Sequence, residues 1–239
     1  MELLLVLDRS GSIGRSMPTL LSFARDLVGE FEIGPSFTRV GLVQFNHDAD
    51  VLLSLSSSIA DIESGISVGG PAQGMTSISD GVTRAVGLLS AARSGVPVTM
   101  LVLTDGVQTV DGGDPAAIAA ATAAKAQGVQ LFAVGFGPGP RHSTLEAMAS
   151  PPTSTHALLF ASIEEVRAYF GRNGLCVLSG PQAPPLPPSA PLPPHLPLET
   201  SACDLSRGAC ERAALARGMT AGGCGYGFVG DYATKGCYS

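Results

Sequence analysis

Leu3-Leu4-Leu5-Val6-Leu7-Asp8-Arg9-Ser10-Gly11-Ser12 sets five consecutive aliphatic residues directly against a run of oxygen-bearing side chains. A short apolar run that stops at polar turn residues reads as a strand buried on both faces, the kind found inside parallel sheets. It is too short for a signal-peptide core, lacks a basic flank, and ends in Asp rather than in a small-residue cleavage site. The strand therefore ends at Asp8, and the loop behind it brings Ser10 and Ser12 to the same rim. One carboxylate and two hydroxyls at i, i+2 and i+4 form a compact set of hard oxygen donors, suited to Mg2+ rather than Zn2+. On its own the same pattern also fits an ordinary helix N-cap turn.

Working outward, short apolar runs alternate with helical patterns as far as about Gly171. Strands are expected at Leu3–Leu7, Arg39–Phe45, Val98–Thr104, Gln130–Gly135 and His156–Phe160. Helices are expected near Thr19–Phe31, Ile78–Ala92, Pro115–Ala126, Thr144–Ala149 and Ile163–Phe170, with Asp114 and Pro115 placed as N-cap and first-turn residue. Val51–Leu55 should return from Arg39–Phe45 as an antiparallel edge through the turn Asn46-His47-Asp48. Such alternation implies a doubly wound α/β domain, mostly parallel, whose ligands bind beyond the carboxyl ends of the strands.

Two further stretches add donors. Gly74-Met75-Thr76-Ser77-Ile78 is a glycine-led loop opening a helix, and it offers the Thr76 hydroxyl. Leu101-Val102-Leu103-Thr104-Asp105-Gly106 is a buried strand that runs out at Asp105, with a glycine permitting a tight turn. Asp8 and Asp105 would then end neighbouring strands, and their loops would converge on the crevice. Five oxygen ligands from three loops leave room in an octahedral shell for waters and one outside group.

At this point the chain resembles a known family, the von Willebrand factor A domains found in integrin inserted domains, matrilins and collagen-associated proteins. The resemblance covers about residues 2–171 and includes, in order, the full set known there as the metal-ion-dependent adhesion site: Asp8, Ser10, Ser12, Thr76 and Asp105. Arg39-Val40-Gly41-Leu42-Val43-Gln44-Phe45 and Leu103-Thr104-Asp105-Gly106 are also similar to family stretches. The resemblance implies a Mg2+ site, with Mn2+ or Ca2+ as alternatives, that takes a Glu or Asp from a protein partner. It further implies an exchange in which Asp105 gives up direct ligation, Thr76 takes it up, and the last helix, here Ile163–Phe170, shifts.

The chain of 239 residues suffices for one sizeable core and a small appendage, and 45% hydrophobic against 14% charged residues favours folding. Residues 1–172 are assigned to the A domain and 173–200 to a proline-rich linker. Pro181 to Pro197 holds nine of the 18 prolines, which forbids a helix or inner strand and favours an extended polyproline spacer. Residues 201–239 form a Cys- and Gly-rich module that has too little apolar surface to fold without cross-links. Its Cys203, Cys210, Cys224 and Cys237 are the disulfide candidates, with Cys176 as the odd thiol. No pair has the C-x2-C spacing of a zinc site. The chain stops two residues after Cys237, as expected of a module cut short.

A net charge of −6 with only 14 Lys and Arg argues against nucleic acid. No apolar run reaches the roughly 18 residues that would span a bilayer. Gly135-Phe136-Gly137-Pro138-Gly139 lacks the third glycine of a dinucleotide loop and reads as a tight turn, and neither a Gly-x-Ser-x-Gly elbow nor a P-loop is present. His47, His142, His156 and His195 are dispersed and are expected in loops or on the surface. The expected function is non-enzymatic adhesion outside the cell or at its surface, through a cation and an acidic residue of a matrix-type partner. The cysteine-dense tail favours that compartment. No export signal precedes Leu3, which leaves open a fragment or incomplete gene model, or an intracellular A domain acting as an assembly or regulatory subunit. A metal-dependent hydrolase would need a general base beside the donors, and none is evident.

Overall fold

The computed structural model describes residues 1–110 and 112–178. The proline-rich spacer beyond residue 178 and the Cys-rich module lie outside the described residues. The elements are β1 Glu2–Asp8, α1 Met17–Gly29, β2 Arg39–Phe45, β3 Ala49–Ser56, α2 Ile59–Ser67, α3 Ile78–Gly87, β4 Val98–Thr104, α4 Asp114–Ala126, β5 Val129–Phe136, α5 His142–Met148, α6 Thr153–His156, β6 Ala157–Phe160 and α7 Ile163–Leu178.

The six strands form one sheet in the order β3-β2-β1-β4-β5-β6. All neighbours run parallel except β2 and β3, whose antiparallel pairing carries two register shifts. Two-residue alternation sends Leu3, Leu5, Leu7, Leu101, Leu103, Phe132 and Val134 to one face, against α1, α2 and α7. Leu4, Val6, Met100, Val102, Leu131 and Ala133 face α3, α4 and α5 on the other. On the first face Leu20, Phe23 and Leu27 repeat at helical spacing along α1, and each is buried, worth about 1.5–3 kcal/mol apiece. On the second, Ala117, Ala121 and Ala124 are fully buried, so α4 meets the sheet chiefly through small methyl groups, with Ile118 packed beside them. Both faces are covered, which is why the central strands read as unbroken aliphatic runs.

From β1 the chain winds outward to β2 and β3, then crosses back to β4 on the other side of β1. The loops after β1 and β4 therefore leave in opposite directions and open a crevice between them, the topological switch point of a doubly wound sheet. Asp8 is the last residue of β1 and Asp105 follows the last residue of β4.

Several expectations change in detail. Helix α2 was not anticipated: Ile59, Ile62 and Ile66 fit a helical repeat, and the Ser58 hydroxyl caps it by accepting from Asp61 N–H at 3.3 Å. Helix α3 ends at Gly87 and tightens into a 3-10 turn over Leu88–Ala91. Helix α7 continues to Leu178, past the expected end at Phe170. Asp114 does not cap α4, whose N-cap is Gly113 at φ 62°. Its carboxylate instead accepts from Arg141 and from the Thr144 hydroxyl, each at 2.7 Å.

His156 corrects the surface expectation. It is buried, its ring stands edge-on to Phe132 at 4.2 Å, and its Nδ1 lies 2.9 Å from the Ser150 carbonyl. His47 and His142 are exposed, as expected, and His195 lies outside the described residues.

At the end of the sheet away from the crevice, Glu2 is fully buried and shared by two arginines, with Arg39 at 2.6 Å and Arg93 at 2.9 Å. Burial raises the Glu2 carboxyl, but the hydrogen bonds from Arg39 and Arg93 outweigh it and hold the group below its ordinary value. Arg93 also donates to the carbonyls of Pro35, Phe37 and Met1, pinning the α1–β2 connection under the sheet.

Candidate metal centre

Asp8 lies at the floor of the crevice with no exposed surface. Ser10 N–H donates to its Oδ1 at 2.7 Å and the Thr104 hydroxyl to its Oδ2 at 2.6 Å, so both oxygens are held in place. Ser10 is buried beside it, and its hydroxyl lies 3.0 Å from that of Ser12, which is exposed at the mouth. Ser12 in turn donates to Asp105 Oδ1 at 2.6 Å, joining the loops after β1 and β4. Thr76 is buried on the third loop. A Cβ placed on Gly106 would sit 3.7 Å from both Ser12 Oγ and Thr76 Oγ1, so the two hydroxyls flank one open point beside Gly106. All five anticipated residues thus line one crevice.

The loops are fastened to one another as well as to the sheet. Gly11 N–H donates to the Gly74 carbonyl at 3.0 Å and Gln73 N–H to that of Arg9 at 2.9 Å, while Ser77 N–H reaches Asn46 at 2.6 Å. Gly74 adopts φ 78°, the left-handed conformation that glycine enters without steric cost.

Residues not anticipated complete the wall. Thr104 orients Asp8, and its place just before Asp105 was the only trace of that role in the sequence. Thr109 accepts from Thr76 N–H at 2.8 Å. A side chain on Gly139 would collide with the Asp105 carbonyl, so the β5–α5 loop closes directly on the turn that carries Asp105. That approach joins segments distant in sequence and leaves no local pattern to read.

The electrostatics are unusual for carboxylates so close together. Burial drives the Asp8 carboxyl up to about 6, against the pull of the Thr104 and Ser10 hydrogen bonds, and the Asp105 charge adds to the rise. Burial also raises Asp105, which the Ser12 hydroxyl partly offsets. Among the described residues neither carboxylate forms an ion pair with Lys, Arg or His. Nor do three or more His, Cys, Asp or Glu side chains gather as a metal-holding group. The donor set is two uncompensated carboxylates and three hydroxyls, all hard oxygens, and it fits a divalent cation of the Mg2+ type better than a thiolate- or imidazole-seeking metal.

An open, mostly parallel sheet with this oxygen-lined crevice at its switch point defines a doubly wound α/β domain. Residues 2–172 match the model of the von Willebrand factor type A domain, and the chain belongs to that family. Mouse vitrin is 33% identical over 156 residues, covering 64% of this chain and 23% of its own. The collagen alpha-1(XXI) chain of Xenopus laevis is 32% identical over 160 residues, covering 65% and 16%. The chain spans a third or less of the curated relatives it matches, reaching 33% of von Willebrand factor A domain-containing protein 1 of Danio rerio. Among solved structures, proximal thread matrix protein 1 from the mussel byssus superposes with a TM-score of 0.65 at 25% identity, covering 74% of this chain and 45% of its own. The same mussel protein with a zinc-occupied adhesion motif superposes with a TM-score of 0.63 at 26% identity, covering 71% and 43%. Among the described residues no helix is long and apolar enough to cross a membrane.

Proposed function

We propose that the chain is a non-enzymatic adhesion or matrix-type protein that grips an acidic residue of a protein partner through a divalent cation, Mg2+ in the first instance. Asp8, Ser10, Ser12, Thr76 and Asp105 are its holding residues. The observation that carries this reading is the pair Asp8 and Asp105, two carboxylates raised by burial in one crevice, neither of them ion-paired to a Lys, Arg or His among the described residues. Asp8 supplies a fixed, buried negative charge at the floor, while Ser12 and Asp105 stand at the mouth where a partner arrives. When bound, the cation supplies an open coordination position for an outside carboxylate. The hydroxyls of Ser10, Ser12 and Thr76 add donor oxygens without charge, so two carboxylates just balance a divalent ion. The zinc in the mussel protein's motif supports a metal in this place, and the collagen chain and the mussel matrix protein among the relatives support a partner in an extracellular matrix. An extracellular or cell-surface location and disulfides among Cys203, Cys210, Cys224 and Cys237 belong to the same proposal.

The test is capture of partners from extracellular extracts on the immobilised full chain, followed by surface plasmon resonance in Mg2+ and in chelator. Binding should vanish in chelator and in Thr76→Ala, which removes an oxygen donor without altering charge. Undiminished binding in chelator for every specific partner would place the contact surface elsewhere and end this reading.

A further inference from the structure

We propose that Thr109 is a positioning residue of the cation site, which aims the Thr76 hydroxyl through a two-way clasp; the inference rests on the reading of the crevice given above. Thr76 N–H donates to Thr109 Oγ1 at 2.8 Å, and Thr109 N–H donates back to the Thr76 carbonyl at 2.9 Å. Gripping both the N–H and the C=O of one residue fixes the peptide planes on either side of its Cα, and with them the direction of its Cβ. The Thr76 hydroxyl is thereby aimed at the point beside Gly106 that it shares with Ser12.

Local structure does not supply this aim. Thr76 sits between Gly74 at φ 78° and Ser77, the N-cap of α3, whose side chain caps nothing. Gly11 holds Gly74 and Asn46 holds Ser77, but both bonds fall beside Thr76 rather than on it. Thr109 follows Asp105 by four residues in the β4–α4 loop, so the clasp sets the Thr76 donor in register with the Asp105 donor. Thr109 is itself exposed; its packing gives no other account of the bond, and substitution there removes little core. The β-branched side chain, with few χ1 states, holds its acceptor oxygen in place.

Isothermal titration of the full chain with MgCl2 tests the clasp. Thr109→Val keeps the shape and removes the acceptor, and should weaken Mg2+ by about tenfold, the upper range for one lost hydrogen bond. Thr109→Ser keeps the acceptor and should bind within about twofold of wild type. Because Thr109 acts through Thr76, Thr76→Ala combined with Thr109→Val should bind no more weakly than Thr76→Ala alone, a non-additivity that general destabilisation would not produce. Equal Mg2+ affinity of Thr109→Val and wild type, or full additivity in the double variant, overturns the clasp and leaves the cation site standing. A wild-type chain that takes up no Mg2+ removes the cation reading itself. If Thr109→Val fails to fold in a melting experiment, Thr109→Ala, which cannot clash, carries the same comparison.

Discussion

The Thr104 hydroxyl donates to Asp8 Oδ2 across 2.6 Å, a bond between the last residue of β4 and the last residue of β1. It spans the switch point and orients a carboxylate that burial has already driven up to about 6. The group is harder to ionise folded than unfolded, which is a statement about stability as well as about affinity.

The sign follows from linkage. Between the ordinary value of 3.8 and the folded value of about 6 the native state holds the extra proton, so metal-free stability falls as pH rises through that window. The loss approaches about 3 kcal/mol by pH 7. Asp8→Asn removes it. The amide can still accept from Ser10 and can donate to Thr104, whose proton then turns to the Gly106 carbonyl 3.2 Å away. In chelator at pH 7 the variant should melt above wild type, and the gap should close by pH 4. A variant less stable than wild type at pH 7 would contradict the account.

Cation addition should largely close that gap. Mg2+ at a hundredfold excess over its Kd stabilises wild type by about 2.7 kcal/mol, since it binds the native state alone. Asp8→Asn and Asp8→Ala should show no such shift. Thermal melts with and without Mg2+ decide it, and an Asp8→Ala protein that gains as much as wild type removes the site.

The Glu2 cluster predicts the opposite pH dependence at the other end of the sheet. Its folded carboxyl titrates below the ordinary value of 4.5, so its contribution is present above that pH and is lost as pH falls. Arg93→Ala should cost about 3 kcal/mol at pH 7 by leaving a buried charge half-paired. The deficit should shrink on acidification, and Mg2+ affinity should stay at the wild-type level. Denaturant melts across pH 3 to 7 measure the first, and calorimetry the second.

Met75, 47% exposed beside buried Thr76, should seal the cation–carboxylate contact against water. Met75→Ala is expected to weaken partner binding by about 1 kcal/mol, about half the burial value of a methionine, with Mg2+ affinity unchanged. Plasmon resonance with a captured partner reads the former, and an affinity within error of wild type would place Met75 outside the contact.

Reduction should spare the A domain, because residues 1–172 contain no cysteine. Mass mapping of protein from an oxidising compartment should find bridges among Cys203, Cys210, Cys224 and Cys237, with Cys176 free. Free thiols at all five positions would refute the disulfide reading.

The sequence by itself determined the four buried strands, the antiparallel edge and the five oxygen-bearing residues of the crevice, because these are short-range properties, whereas the expected fifth buried strand is the half-exposed edge β6. An aliphatic run that stops at Asp8 or Asp105 is a buried strand reaching its polar end whatever it pairs with, and Ser10 and Ser12 follow Asp8 within one loop. Helix α2 was legible in its isoleucine spacing and its serine cap but was hidden between stronger signals. What the tertiary structure alone decided is everything that depends on which distant segments meet. The register of β1 against β4 brings Thr104 onto Asp8, and the approach of the β4–α4 loop lets Thr109 grip Thr76. Arg39 reaches Glu2 from the start of β2 and Arg93 from the connection before β4, and His156 passes from an apparent loop position into the core because Phe132 lies over it. A lone threonine, arginine or histidine carries no periodicity, so its partner becomes visible only once the strands have closed the distance.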